Sequence, residues 1–446
     1  MGCADADGTT LPAKELSSDA ARDFGLDSLA KSMAGTAISA DQVLRILSRL
    51  ETDPDVIAYR SEILFDLYDN PGLAEGLEDI VPIIREVTLF GRTVEATTSP
   101  LQQTIWKIGE LESYVQCIQQ LADLLGRFGD KLKSRGLQRL RSAVNEIRAT
   151  PSFTALSEDI PRMRAGLQMK KSITLGINLD HKLRPIEATI LSINEQPFHE
   201  SGMLGRFLAG FTEGGKYASP HRMLRTPSAE DLGMRTGKTV PLAPLFQEIE
   251  QLLRDVLKPL SSQLDRYLKV NTRVLHQLGP QIGFFCAAYD LMKRLSAAGL
   301  PVSKPVIAGA DTRRTSLSSF YNLQLALRIL SGTGEDADEG VDNLVYNNAD
   351  FGEVSRIFIL TGPNQGGKTT FTQGVGLAQV LAQAGLFAPA REAIISPCDM
   401  IYTHFPAEER GQLVTGRLGE ELSRLHDMFE QITDQSMVLM NESLSS

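Results

Sequence analysis

The chain has 446 residues, of which 42% are hydrophobic and 22% are charged, and its formal net charge is −10. These values are near those of ordinary globular proteins and exclude a wholly disordered chain. The sequence contains no run of about 18 apolar residues, which argues against a membrane-spanning helix, and its start lacks the basic and apolar regions of a secretory signal. The four cysteines lie far apart, so we expect no zinc site and no disulfide framework, as is usual for a cytoplasmic protein.

The charge is unevenly distributed along the chain. Residues 121–240 hold 19 Lys and Arg against 12 Asp and Glu, a net charge of +7, whereas the remaining residues have a net charge of −17. A basic middle between acidic flanks indicates a surface that binds a polyanion. Scattered, solvated charge is the alternative explanation of the same numbers.

The N-terminal half is predicted to be mainly helical. Its first forty residues show little pattern and are expected to form a weakly packed lead-in. Apolar residues at helical spacing then predict amphipathic helices, which lie near residues 41–50, 56–67, 82–94, 101–128 and 131–148. Helices of this length with few breakers are typical of an extended rod.

The sequence pattern changes in the middle of the chain, from helical spacing to β-branched runs. Two β-branched runs, residues 172–179 and 188–194, predict a pair of strands. Residues 202–241 are rich in Gly, Pro, Ser and basic side chains and are expected to form a loop or a partly ordered insert. Helical periodicity returns over residues 244–278 and 282–298.

A phosphate-loop motif dominates the C-terminal part. The apolar run 356–360 has the composition of a buried parallel strand. It leads into TGPNQGGKTT, residues 361–370, which fits the pattern G-x-x-x-x-G-K-[ST]. The glycines let the backbone curl around phosphate oxygens, and the helix predicted over residues 369–384 points its N-terminus at them. The residues expected to bind a nucleotide are Gly362, Pro363, Asn364, Gln365, Gly366, Gly367, Lys368, Thr369 and Thr370.

Two polar side chains of this loop have specific expected roles. Lys368 supplies a positive charge to the β and γ phosphates, and the hydroxyl of Thr369 binds Mg²⁺. A glycine-rich connection with a surface lysine is the alternative interpretation of the motif.

A second apolar run, residues 436–440, predicts another strand, which ends at Asn441 and Glu442. A carboxylate at this position is expected to activate the attacking water, so Glu442 is the candidate general base. Asn441 is the second candidate metal-site residue, although its amide contributes no charge. An ordinary strand end is the alternative.

These motifs resemble the MutS family of DNA mismatch-repair ATPases, which belongs to the ABC ATPase superclass. The resemblance is strongest at the phosphate loop and extends to residues 387–390, 399–403 and 437–442. It is weaker in the helical residues 53–60 and 282–307. In total it covers about residues 40–446.

The resemblance implies a multidomain fold with a mainly α-helical core and lever region, a small β-containing clamp-like insert and an α/β P-loop ATPase domain of the ABC type. The expected domains are a lead-in (1–40), core and first lever helices (41–171), the clamp-like insert (172–241), returning lever helices (242–335) and the ATPase domain (336–446). It also implies ATP and Mg²⁺ as cofactors, a homodimer, and DNA as the partner of the basic middle region.

The chain departs from the family in several places. The family's mismatch-reading domain has no counterpart, so we expect non-specific or branched-DNA binding. Residues 415–421 lack the serine of the family's signature region, and the family's adenine-stacking aromatic aligns near Leu344, with Tyr346 as a candidate substitute. Because four residues follow Glu442, the ATPase domain is expected to be C-terminally incomplete.

Three functions are therefore compatible with the sequence. The first is an ATP-dependent DNA-binding protein in which nucleotide state closes a clamp on DNA, with the rate of hydrolysis left open. The second is an ATP-switched protein-interaction module with little or no hydrolysis, which Asn441 and the altered signature favour. The third is a helical scaffold with a vestigial nucleotide site.

Overall fold

The fold was analysed in a computed structural model. It describes residues 14–96, 100–168, 172–179, 185–194, 260–267, 270–332, 340–352, 355–363, 366–405 and 417–441. These residues are mostly helical and form small sheets. The chain divides into two compact units, and unit 1 comprises Met1–Glu86, Gln116–Ala149 and Arg273–Ser446, whereas unit 2 comprises Val87–Val115 and Thr150–Thr272.

Unit 1 begins with a folded N-terminal segment, which we define as residues 14–39. Strand β1 (Lys14–Glu15) pairs antiparallel with β2 (Arg49–Leu50), and between them lie α1 (Ser18–Asp23), α2 (Leu26–Met33) and α3 (Ala40–Leu47). Ser17 and Ser39 cap α1 and α3 at their N-termini. Several apolar side chains of the segment are fully buried, among them Ala20, Phe24, Leu26, Leu29 and Ile38. The expectation of a weakly packed lead-in is therefore wrong for residues 14–40, because short capped helices bury their few apolar side chains against the rest of the unit.

Long helices form the next part of unit 1. They are α4 (Pro54–Asp69), the first part of α5 (Pro71–Ala96), the last part of α6 (Pro100–Arg127), and α7 (Arg135–Ala149). The helix predicted from residue 131 begins four residues later, at Arg135, because Ser134 caps it through a hydroxyl that accepts from the Leu137 backbone N–H. The buried carboxylate of Asp66 holds the residues before the helix by accepting from the backbone N–H groups of Lys133 and Ser134.

Helix α9 (Arg273–Ala297) is continuous where the sequence predicted a break near residues 279–281. Pro280 lies inside it. Gly279 packs so closely against Ile84 that an added Cβ would lie 2.8 Å from the Ile84 Cγ2 atom. Close packing of this largely buried helix thus outweighs the loss of one backbone hydrogen bond at the proline.

Unit 2 contains the remaining parts of α5 and α6, helix α8 (Pro151–Gln168) and the strands β3 (Ser172–Leu179) and β4 (Pro185–Asn194). The two strands pair antiparallel, with Ile173 opposite Ile193 and Ile177 opposite Ala188. The predicted strand pair is confirmed, and its second strand starts three residues earlier than expected. The predicted loop over residues 202–241 lies outside the described residues.

The C-terminal part of unit 1 is an α/β region. Strands β5 (Val306–Ile307), β6 (Thr315–Phe320), β7 (Asn347–Phe351) and β8 (Glu392–Ile395) form a sheet in the order β5-β8-β6-β7. Helices α10 (Leu323–Ser331), α11 (Lys368–Gln383) and α12 (Arg417–Gln431) lie in the same part of the chain. Strands β9 (Ile401–His404) and β10 (Met437–Met440) pair parallel.

The apolar run 356–360 is not a strand, so the prediction of a buried parallel strand is wrong here. Ile357 is 88% exposed and Ile359 is 86% exposed. No strand in the described residues pairs with this run, and a strand forms only where its backbone groups find a hydrogen-bonded neighbour. The Phe358 ring still packs edge-on against Phe351, with 4.6 Å between the ring centroids.

In the part of the chain that the structure describes, no helix combines the length and hydropathy that a membrane span requires.

Candidate functional site

The phosphate-loop motif forms a tight turn that ends at the N-terminus of α11. The backbone N–H of Gly366 donates to the carbonyl oxygen of Pro363 at 3.1 Å. Gly367 has a φ angle of +80°, in the left-handed region that glycine adopts without strain, and α11 begins at the next residue. The loop therefore brings an exposed run of backbone to the positive end of a 16-residue helix.

Lys368 bends back over this loop. Its Nζ atom donates to the carbonyl oxygens of Gly362 at 3.0 Å and of Pro363 at 2.9 Å. The ammonium group is therefore held at the mouth of the turn by two neutral acceptors. An anion placed there would offer it charged oxygens in their place, which form stronger hydrogen bonds.

Thr369 and Asn441 meet although they are 72 residues apart. The Thr369 Oγ1 atom donates to the Asn441 Oδ1 atom at 3.1 Å. Asn441 directly follows β10 and is buried. The structure thus brings together the two side chains that the sequence singled out for the metal site, and both present oxygen atoms, the ligand type that Mg²⁺ prefers.

Three predicted site residues, Asn364, Gln365 and Glu442, lie outside the described residues. The structure places Gly362, Pro363, Gly366, Gly367, Lys368 and Thr369 in the loop and the first turn of α11. Thr370 follows in the same turn, where its carbonyl oxygen accepts a hydrogen bond at 2.9 Å from the Nδ2 atom of Asn322. Asn322 also caps α10 through its Oδ1 atom, so it holds the start of α11 against the start of α10. Nothing in the motif pattern predicted this contact.

The second half of α11 is anchored by two buried glutamines. Gln379 accepts a hydrogen bond from the Thr315 hydroxyl and donates to Gln383 and to the carbonyl oxygen of Ser396. Gln383 donates to the carbonyl oxygens of Glu51 and Cys398 and accepts from the Cys398 backbone N–H. Since each polar group is paired, the two side chains fix α11 without the cost of unsatisfied buried amides.

The N-terminal segment also contacts this site. The Gln373 Nε2 atom of α11 donates to the carbonyl oxygen of Asp23 at 2.9 Å. The Thr403 hydroxyl of β9 donates to the Asp23 Oδ2 atom at 2.7 Å. Sequence reasoning missed Asp23, because it lies 350 residues from Gln373 and belongs to no spaced motif.

Asp399, between β8 and β9, is a second anchor for the N-terminal segment. Its carboxylate accepts hydrogen bonds from Lys14 at 3.0 Å, from Thr433 at 3.0 Å and from Ser436 at 2.8 Å. Burial alone would raise the pKa of Asp399, but these hydrogen bonds and the positive charge of Lys14 outweigh it and lower the pKa below its ordinary value. The carboxylate is therefore ionised at neutral pH and ties β1 to the turn before β10.

The described cysteines do not form a metal site. Cys117, Cys286 and Cys398 are free and buried, and burial raises the pKa of each thiol to about 12. Among the described residues, no group of three or more His, Cys, Asp or Glu side chains is arranged to hold a metal ion.

Comparison with known proteins places the chain in a family. The MutS2 N-terminal domain family matches residues 52–298, more than half of the chain. The chain belongs to the MutS family. MutS domain V matches residues 358–443, which contain the phosphate loop and Asn441.

Two curated members of this family are similar to shorter stretches. The chain is 35% identical over 102 residues to the protein named Endonuclease MutS2 of Thermus thermophilus. The aligned residues are 23% of this chain and 14% of that relative. It is 37% identical over 102 residues to the human DNA mismatch repair protein Msh3. The aligned residues are 23% of this chain and 9% of that relative. The aligned stretches thus span a small part of the curated relatives' own lengths.

Leu344 and Tyr346 bear on the adenine position that the MutS resemblance implied. Leu344, at the aligned position, is buried. Tyr346 is 44% exposed, and its ring packs edge-on against Tyr321 with 6.1 Å between centroids. Tyr346 is thus partly open to solvent, whereas Leu344 is not.

Proposed function

We propose that this MutS-family chain binds ATP with Mg²⁺ at the loop of residues 362–370. The observation that carries the proposal is the meeting of Thr369 and Asn441 beside the Lys368 ammonium, at the N-terminus of α11. Lys368 holds the phosphates, and the oxygens of Thr369 and Asn441 hold the metal shell. Asn364 and Gln365 complete the loop, and Glu442 is the proposed base that activates water.

The C-terminal α/β region is, in this proposal, an ATPase domain of the ABC type that works as a homodimer. Asn441 offers a neutral amide in place of a carboxylate, so it attracts the metal shell less strongly than an aspartate would. We therefore propose slow hydrolysis, with the bound nucleotide serving mainly as a conformational signal.

DNA is the proposed partner of the basic middle region. Membership of the MutS family supports a DNA-related role. In the described part of this region, Arg135 and Arg139 of α7 place their guanidinium groups 5.8 Å and 5.9 Å from the centre of the Tyr59 ring. Arg135 is already paired with Glu62 at 3.0 Å. Exposed arginines such as Arg139 make phosphate contacts that carry no base specificity. We propose that the basic middle region, residues 121–240, binds non-specific or branched DNA and that the ATP state closes the clamp-like insert, residues 172–241, on it.

The test of the nucleotide site is the Lys368→Ala variant of the 446-residue chain. Binding of a fluorescent ATP analogue is measured by anisotropy with Mg²⁺ present. We expect binding to fall by about 100-fold or more, since a charged phosphate contact is lost. Lys304→Ala, at an exposed lysine over the Phe65 ring, is the matched control and should bind as the parent does. Equal affinity of Lys368→Ala and the parent would show that the site is assigned wrongly.

The alternative function is an ATP-switched protein-interaction module, and the neutral amide of Asn441 favours it. The two functions differ in their response to DNA. Turnover of ATP that rises or falls when branched duplex DNA is added supports the DNA-binding function, whereas turnover that ignores DNA at low salt supports the interaction module. A parent chain that binds no ATP analogue supports the vestigial scaffold.

A further inference from the structure

We propose that the turn formed by Asp23 and Phe24 in the N-terminal segment positions Thr369 against Asn441. This inference rests on the proposed nucleotide function, and it assigns to the N-terminal segment a positioning role in metal binding. Three contacts of the turn carry it: one with α11, one with β9 and one with α10.

The first contact joins the turn to α11. Gln373, whose Nε2 atom donates to the Asp23 carbonyl oxygen at 2.9 Å, lies one helical turn after Thr369 on the same helix. Phe24 is buried and lies against Gly376, where an added Cβ would be 2.3 Å from the Phe24 Cε1 atom and 2.6 Å from the Leu439 Cδ1 atom. The phenylalanine ring and a side chain of β10 thus press on the same point of α11.

The second contact joins the turn to the strands that hold Asn441. The Thr403 hydroxyl of β9 donates to the Asp23 carboxylate at 2.7 Å. The next residue, His404, pairs with Met440 of β10, and its carbonyl oxygen accepts the Asn441 backbone N–H at 2.9 Å. Asp23 is therefore linked to Asn441 through one strand and one backbone hydrogen bond.

The third contact holds the turn itself in place. The Nε2 atom of Gln324, on α10, donates to the carbonyl oxygens of Phe24 at 3.1 Å and of Gly25 at 2.7 Å. Gly25 has a φ angle of +64°, which the tight turn requires and which a side chain would strain. The turn is thus held by hydrogen bonds to α10, to α11 and to β9.

These contacts fix the positions of Thr369 and Asn441, the two proposed metal-site residues. Thr369 lies on α11, and Asn441 follows β10. Asp23 bonds α11 through its backbone carbonyl oxygen, and it bonds β9, the strand paired with β10, through its carboxylate. The Asp23 side chain is only 8% exposed, so water does not readily replace its bond to Thr403. Mg²⁺ demands near-ideal octahedral geometry, and the supporting residues around metal ligands commonly change metal affinity by about 10-fold to 100-fold.

The experiment compares Asp23→Ala with the matched control Asp27→Ala, which removes a carboxylate from an exposed position of the same segment. Both are made in the 446-residue chain. Affinity for a fluorescent ATP analogue is measured once with Mg²⁺ and once with EDTA. We expect Asp23→Ala to weaken binding by about 10-fold with Mg²⁺ and to leave the affinity in EDTA unchanged. Asp27→Ala should match the parent in both conditions.

A conservative variant and a second readout test the same idea without relying on affinity alone. Asp23→Asn keeps an oxygen that accepts from Thr403, so it should restore most of the Mg²⁺-dependent affinity. Hydrogen exchange of the nucleotide-free chain should be faster in Asp23→Ala than in Asp27→Ala over residues 368–376 and 401–404, the two elements that the turn connects.

The outcomes separate the inference from the proposed function. A parent chain that binds the ATP analogue, with an Asp23→Ala variant that loses affinity equally in Mg²⁺ and in EDTA or loses none, overturns the positioning role alone. Unchanged exchange over residues 368–376 and 401–404 also overturns it. A parent chain that binds no ATP analogue overturns the proposed function, and the positioning role falls with it.

Discussion

The two chain segments on either side of the phosphate loop differ in composition and in burial, in opposite senses. Before the loop, residues 357–360 are all apolar and all exposed. After it, residues 374–383 of α11 include two glutamines and two glycines, and all of them are buried. The segment that contains two polar glutamines is therefore inside the protein, and the wholly apolar segment is outside.

This contrast shows that hydrogen-bond partners, as well as hydropathy, decide which segment is buried. Gln379 and Gln383 enter the interior because seven hydrogen bonds satisfy their amides. The apolar run 357–360 has no neighbouring strand among the described residues to receive its backbone N–H and C=O groups. Burying unpaired backbone groups costs about 1–3 kcal/mol each, which offsets the gain from burying an isoleucine.

The largest expected effect comes from Gly376→Ala in the buried half of α11. The new Cβ would lie 2.3 Å from Phe24 and 2.6 Å from Leu439, so both must move, and we expect the free energy of unfolding to fall by about 3 kcal/mol. Gly374→Ala is the matched control, with its nearest contact at 3.1 Å from Phe320. Urea unfolding measures both. If Gly376→Ala is as stable as Gly374→Ala, the packing around Phe24 has room for an added methyl group and the prediction is wrong.

A smaller loss is expected for Gln383→Leu, which keeps the volume and removes the hydrogen bonds. It leaves the carbonyl oxygen of Glu51 and the backbone of Cys398 with fewer partners, so stability should fall by about 2 kcal/mol. Gln120→Leu, the same change at an exposed helical position, should cost less than about 0.5 kcal/mol. Equal midpoints of the two variants in urea would contradict the role given to the buried amides.

Asp399→Asn tests the charged anchor and predicts a pH dependence. Because the pKa of Asp399 is lowered in the folded protein, its stabilising effect is present above the ordinary value of 3.8 and is lost as the pH falls below it. The variant should be less stable than the parent by about 1.5 kcal/mol at neutral pH. Unfolding curves collected over a pH series should converge at acidic pH, and a difference that grows with acid would reverse the sign of the argument.

The smallest effect is expected for Ile359→Ala in the exposed apolar run. Since this side chain is 86% exposed, its truncation should change stability by less than about 0.5 kcal/mol. Ile395→Val removes a single methyl group from a fully buried isoleucine of β8, yet it should cost about 1 kcal/mol. Thermal unfolding of the two variants checks the order, and a larger loss for Ile359→Ala would show that the run is buried in solution.

Much of the architecture was predictable from local patterns. The helix over residues 101–128 agrees with α6 within one residue at each end, and the strand over 172–179 agrees with β3. Such elements follow from periodicity that the chain carries locally. The start of α7 was missed by four residues, although Ser134 directly before it is a local cap signal, whose hydroxyl accepts from the Leu137 backbone N–H. The bonds from Asp66 to the backbone of Lys133 and Ser134 come from another helix and have no local signal.

The candidate site divides in the same way. Spacing alone predicts Lys368 and Thr369 as site residues, since a phosphate loop needs its lysine and hydroxyl at consecutive positions where a helix begins. Asn441 followed from its place after an apolar strand. Asp23, Asn322 and Gln383 carry no such pattern, because their partners lie far away in the chain.

Local order in the sequence thus determined most of the long helices and the strand pair of this MutS-family chain, and it predicts the phosphate-loop motif. It could not determine which apolar segment is buried or which remote side chains support the loop. Those depend on long-range partners, since a strand needs a neighbouring strand and a buried amide needs an acceptor. Only the tertiary fold brings Asp23 to Thr403 and Thr369 to Asn441.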